Sequence, residues 1–276
     1  MALIRFRAHV SKGSRFRQIY VPNGVEEIDA GDLVEVRLVK KKATLHFRGL
    51  QTLPKFKHAL SRDILQHCLD EGVQRVFITG SFLAEGADYR DIDVLLIVPD
   101  NENRDGWAKQ VAESLVRDIP LKFHITALWM TEFQRLLSTC PLTRSMMERC
   151  VSNSSVPSLP PRVVDTKRLL FLLMLPEDAL TLPVESRTLY DCIRRVITIK
   201  QFLEKKQTRA EDVASDLKKL LGSELVDFLK ENSSLDTILR SRVISILQRE
   251  LLTVRKLLRS LTPHSQEASY GKKTRS

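Results

Sequence analysis

Two aspartates one residue apart, Asp91 and Asp93, stand at the mouth of an apolar run from Ile92 to Val98. Before them, the apolar segment Val76-Phe77-Ile78-Thr79 ends in Gly80-Ser81, and a loop of nine residues, Phe82 to Arg90, joins the two. Side chains on a strand alternate between its faces, so Asp91 and Asp93 project together while Ile92 points the other way. Carboxylates so placed repel unless positive charge lies between them. A hard divalent cation such as Mg²⁺, which takes carboxylate and phosphate oxygens, suits that position. Gly80 lacks a Cβ, so a triphosphate can approach its backbone closely. The Ser81 hydroxyl and amide can hydrogen-bond a phosphate oxygen, and a helix starting there would add its positive dipole end. Either half alone would be an ordinary Gly-Ser turn or a solvated acid pair; the joint pattern is far more specific.

The elements that must hold these residues follow from periodicity. Lys55 to Glu71 reads as a helix, followed by strands over Arg75–Thr79 and Ile92–Val98. A helix from about Arg104 to Arg117 leads to a third strand, Leu121 to Leu128. Thr131 with Gln134, and Thr208 with Glu211, have the spacing of capping boxes. This strand–helix alternation is α/β, with a mixed sheet expected over residues 51–151. Residues 152–161, Ser-Asn-Ser-Ser-Val-Pro-Ser-Leu-Pro-Pro, read as a linker, and residues 162–262 as an α-helical bundle. The last helix carries an apolar stripe from Leu235 through Ile238, Val243, Leu247, Leu251 and Val254 to Leu261, which reads as packing. The polar, basic tail 263–276 reads as disordered. Residues 1–50 alternate in short runs broken by turn signals, which reads as a small all-β domain preceding the core.

The segment Val73 to Val98 resembles the signature of the DNA polymerase beta-like nucleotidyltransferase superfamily, especially its minimal members. That resemblance implies an enzyme in which Asp91 and Asp93 hold two Mg²⁺ ions and Gly80 and Ser81 hold the β- and γ-phosphates of a nucleoside triphosphate. Arg90 is counted with the nucleotide-binding residues. The implied reaction moves a nucleoside monophosphate to a hydroxyl and releases pyrophosphate. The family carries a third carboxylate on a later strand. Here Phe123, Ile125 and Ala127 share one face of that strand, and Lys122, His124 and Thr126 the other, so His124 stands where the acid is expected. Neutral imidazole can ligate a metal or act as a base, though it binds Mg²⁺ less well than carboxylate. A satisfied strand-end histidine without a ligand role is the alternative. Asp88 in the loop is a weaker candidate acid.

The stretch from Val10-Ser11-Lys12-Gly13 through Ile19-Tyr20-Val21-Pro22 to Gly31-Asp32-Leu33-Val34-Glu35-Val36 resembles the SpoVT/AbrB swapped-hairpin family. It implies a homodimer, and Arg5, Arg7, Lys12, Arg15 and Arg17 as possible nucleic-acid contacts. A dimerisation barrel that binds no nucleic acid is the alternative. Residues 1–50 hold 10 basic and 5 acidic residues, hence 10 − 5 = +5.

The whole chain of 276 residues carries a net charge of +10, which suits a polyanionic partner, and its 43% apolar content argues against wholesale disorder. Cys68, Cys140, Cys150 and Cys192 form no CxxC pair and read as free thiols of a cytoplasmic protein. No apolar run spans a bilayer: the longest, Leu169 to Leu175, stops at Pro176. Arg187, Arg194 and Arg195 either face the cleft or form an exposed basic face. A DNA-binding regulator with a degenerate, nucleotide-sensing core is the rival reading of the whole.

Overall fold

The computed structural model describes residues 8, 10–12, 14–15, 17–21, 25, 28–29, 31–32, 34, 42–85 and 89–261. Leu33, Glu35 and Val36 of the run that begins at Gly31, together with Arg5, Arg7, Asp88 and the tail 263–276, lie outside the described residues. The chain divides into two units, 1–41 and 42–276. In the first, β1 (Val10–Lys12) and β2 (Arg17–Ile19) form an antiparallel hairpin, with Val10 opposite Ile19 and Lys12 opposite Arg17.

The second unit is built on a mixed five-stranded sheet. Its elements begin with β3 (His46–Arg48), α1 (Lys55–Asp70) and β4 (Arg75–Thr79). A short 3₁₀ turn, Ser81–Leu83, separates β4 from β5 (Ile92–Val98). Then come α2 (Arg104–Asp118), β6 (Phe123–Trp129), α3 (Met130–Thr139), α4 (Pro141–Glu148) and β7 (Cys150–Ser152). The strand order is β3-β7-β4-β5-β6. Only β5 and β6 pair in parallel, because α2 supplies the crossover that parallel neighbours need. The other pairs are antiparallel.

Period-two alternation sorts the sheet into two faces. Val76, Ile78, Ile92, Val94 and Leu96 pack with Ile64, Leu65 and Cys68 of α1 and Val111 and Leu115 of α2. Phe123, Ile125 and Ala127 join this layer, as their spacing predicts. Phe77, Leu95 and Ile97 turn the other way, onto Phe133, Leu137, Met147 and Cys150, with the Phe77 and Phe133 rings 5.5 Å apart. Asp93 shares the face of Leu95 and Ile97.

The remaining helices are α5 (Thr166–Asp178), α6 (Ser186–Leu203), α7 (Ala210–Leu221), α8 (Ser223–Lys230) and α9 (Thr237–Leu261). α6 is their centre: Leu189, Ile193, Val196 and Ile197 pack in one cluster with Val243, Leu247, Leu251 and Val254 of α9. The expected stripe on α9 is buried from Val243 to Leu258, but Ile238 in the first turn is 81% exposed. α5 also runs through Pro176 to Asp178, past the point where the apolar run breaks. Among the described residues no helix is long and apolar enough to cross a membrane.

Neither expected capping box forms. The amide and hydroxyl of Thr131 both donate to Asp100 Oδ1, at 3.0 and 2.7 Å. Those of Thr208 both donate to Glu148, at 2.9 and 3.0 Å, while Glu211 pairs with Arg149. A charged carboxylate fixed by tertiary packing is a stronger acceptor than the local side chain it displaces.

Candidate active site

β4 ends at Thr79, opposite Asp93 on β5, and Asp93 is in turn opposite His124 on β6. Register thus sets Thr79, Asp93 and His124 in one line across three strands. Gly80 turns the chain away from β4 with φ +79°. A Cβ on it would lie 1.9 Å from Asp93 Oδ2. The glycine therefore satisfies two demands at once: a left-handed backbone and the close passage of a carboxylate. Gly80 and Ser81 are exposed, while Phe82 and Leu83 anchor the turn in the core. The helix start expected after Ser81 is only a three-residue 3₁₀ turn, which supplies no macrodipole.

Asp91 lies just before β5 and Asp93 is its second residue, both half-buried. Ile92 between them is fully buried on the opposite face. Burial holds the Asp93 carboxyl above the usual carboxylate range. A hydrogen bond from His124 opposes that rise, the charge of Asp91 adds to it, and the charges of His124 and Arg194 counter it. His124 Nδ1 lies 3.1 Å from Asp93 Oδ1, and the imidazole is 69% exposed beyond that contact. The sequence-derived residues Gly80, Asp91, Asp93 and His124 therefore converge, with Ser81 beside them.

Arg90 departs from this group: its guanidinium donates to the Lys230 carbonyl at 3.2 Å, at the end of α8. Arg187 donates to the same carbonyl at 3.4 Å and stacks over Tyr190. Arg194 of α6 is the arginine whose charge acts on Asp93.

Lys57 joins these residues only through the fold. Its side chain is buried, its Nζ donates to the Ala84 carbonyl at 2.7 Å, and it lies 5.5 and 5.3 Å from the rings of Phe82 and Tyr89. Burial, then the charge of Arg149, push its ammonium below the ordinary lysine value. Arg149 meanwhile donates to the Leu83 carbonyl. These two cations fasten the loop that leads from Ser81 toward Asp91. The available signal was position: Lys57, Ser61, Ile64, Leu65 and Cys68 form the buried stripe of α1, and a charge in such a stripe is rare without a task.

Among the described residues, no group of three or more histidine, cysteine or acidic side chains is arranged to hold a metal. The Asp91–Asp93 pair nevertheless fits Mg²⁺, which commonly binds one or two carboxylates and completes its shell with phosphate oxygens and water. The mutual repulsion that helps lift Asp93 is what such an ion relieves.

No family model matches the chain, and no curated protein does. Among solved structures it aligns with the spectinomycin adenyltransferase AAD(9) from Enterococcus faecialis, crystallised with ATP and spectinomycin. The two are 9% identical, the TM-score is 0.46, and the alignment covers 72% of this chain and 100% of the other.

Proposed function

We propose that this protein transfers a nucleoside monophosphate from a nucleoside triphosphate to a hydroxyl acceptor. The observation that carries the reading is the bare, exposed Gly80 backbone packed against the Asp93 carboxylate, with Ser81 and Asp91 adjoining. Gly80 and Ser81 bind the β- and γ-phosphates through backbone amides and the serine hydroxyl. Asp91 and Asp93 hold Mg²⁺, which when bound neutralises phosphate charge and polarises the α-phosphate. Arg194 adds a further positive charge that acts on the Asp93 carboxyl.

His124 gains a defined part from its contact. With Nδ1–H directed at Asp93 Oδ1, the other ring nitrogen, Nε2, carries the lone pair and is free to accept a proton. The acceptor oxygen then attacks the α-phosphorus in line, the bond from that phosphorus to the bridging oxygen breaks, and pyrophosphate leaves. The hydroxyl proton passes to His124 Nε2.

Incorporation of α-labelled nucleotide, assayed with protein, RNA and small-molecule acceptors, tests the reading. It should require Mg²⁺ and fall by about 10³-fold in Asp91→Ala/Asp93→Ala with circular dichroism unchanged. No incorporation from any triphosphate would overturn it.

The occupation of the third acid's place by His124 favours a second reading, a regulator that senses nucleotide and binds DNA through its N-terminal unit. Lys12 and Arg17 face each other across the hairpin, a like-charge pair that an anion would relieve. Salt-sensitive DNA binding in a gel shift, lost on deletion of residues 1–41, would support it.

A further inference from the structure

A second charged site lies in residues 42–276, and its sign is opposite. A cavity of about 290 Å³ is lined by Arg48 of β3, Arg144 and Glu148 of α4, Arg162, Gln207 and Arg209. Four arginines against one carboxylate leave 4 − 1 = +3 around it. Glu148 is already engaged by both donors of Thr208, and stands 3.8 Å from Arg144 Nε, beyond hydrogen-bond range.

Three of the arginines are held in fixed poses by backbone carbonyls. Arg48 donates to Val156 and Pro157, Arg144 to Leu137 and Pro160, and Arg162 to Gln201, Phe202 and Lys206. The Arg162 guanidinium also stacks 5.5 Å over the Phe202 ring. Carbonyls orient these groups but cancel no net charge. Arg48 Nη1 and Arg144 Nε are buried without a hydrogen-bond partner. Arg209 is exposed at the rim and makes no ion pair among the described residues.

A purely structural staple would need the carbonyl bonds alone. It would not need four cations around one cavity, where they repel: burial first, then the charge of Arg162, push the Arg144 guanidinium down, Glu148 opposes this, and Arg48 adds to it. Pre-oriented planar forks with spare N–H groups are the arrangement that recognises phosphate bidentately. The volume lies just below that of sites for drug-sized ligands, which suits a phosphate with a small group attached.

We propose that Arg48, Arg144, Arg162 and Arg209 form a binding site for a small phosphate monoester, independent of the aspartate site. The test is equilibrium binding of inorganic phosphate and of ribose 5-phosphate to the full chain in EDTA and low salt. Saturable binding is expected for the wild type and, unchanged, for Asp91→Ala/Asp93→Ala. Arg209→Glu, at an exposed position, should weaken it by about tenfold or more. Arg209→Gln should weaken it several-fold, and serves should the charge reversal fail to fold. Tighter binding of the sugar phosphate would identify an organic monoester as ligand; equal binding would identify the phosphate group alone. Absence of saturable binding up to millimolar concentrations, or equal binding by the Arg209 variants, would overturn the proposal.

Discussion

Asp93 and Arg48 stand at the same end of the sheet, three strands apart. Arg48 pairs with Cys150 on β7, one residue past the pairing of Val151 with Ile78 on β4, and Asp93 pairs with Thr79, one residue past Ile78. Three strand spacings put them about 14 Å apart. One end of one sheet thus holds a carboxylate pair and, beside it, an arginine cluster. The acidic site is assembled from a short contiguous stretch, and a single glycine makes it possible. The basic one collects side chains from β3, α4, the segment before α5 and the start of α7. Charge excess of either sign is tolerated in this fold where rigid backbone holds the groups, and it marks where a ligand of the opposite sign would be stabilised.

The largest effect that would break this comparison comes from Gly80→Ala. The added Cβ meets the Asp93 carboxylate at 1.9 Å in a left-handed backbone. Transfer should fall by about 100-fold, and chemical denaturation should show a loss of about 1–3 kcal/mol. A variant retaining both would mean that Asp93 need not lie over Gly80.

Arg144→Met probes the basic side. It deprives the Leu137 and Pro160 carbonyls of their donor, and should cost about 1–3 kcal/mol in a urea titration. A gain in stability would instead mean that repulsion among the cations outweighs the carbonyl bonds.

His124→Asp has the smallest expected effect and the sharpest reading. A third carboxylate beside Asp93 should tighten Mg²⁺ binding by about tenfold in a metal titration. Turnover should drop all the same, because the proton acceptor at Nε2 is gone. Rising turnover would remove His124 from the proton transfer.

Much of the core was legible because its signals are local. The apolar runs of β4 and β5, their flanking helices and the Gly80-Ser81 and Asp91/Asp93 pattern each lie within one or two elements, and the structure forms strands over Arg75–Thr79 and Ile92–Val98 as read. The helix caps failed for the converse reason. Thr131 and Thr208 have the right local spacing, but Asp100 and Glu148 reach them from elsewhere in the fold. Lys57 is not legible in the sequence, because a lysine in an amphipathic helix ordinarily faces water and only packing shows it enclosed by Phe82 and Tyr89.

What the residues alone determined, then, was which side chains share a strand face and where a glycine permits close approach, since both follow from backbone periodicity and the absence of a Cβ. Tertiary structure decided the rest: that His124 bonds Asp93, that Arg90 turns to Lys230 while the charge of Arg194 acts on Asp93, and that four arginines far apart in the chain surround one cavity. Such contacts join residues tens to more than a hundred positions apart. They depend on which elements pack together, and no periodicity along the chain encodes that.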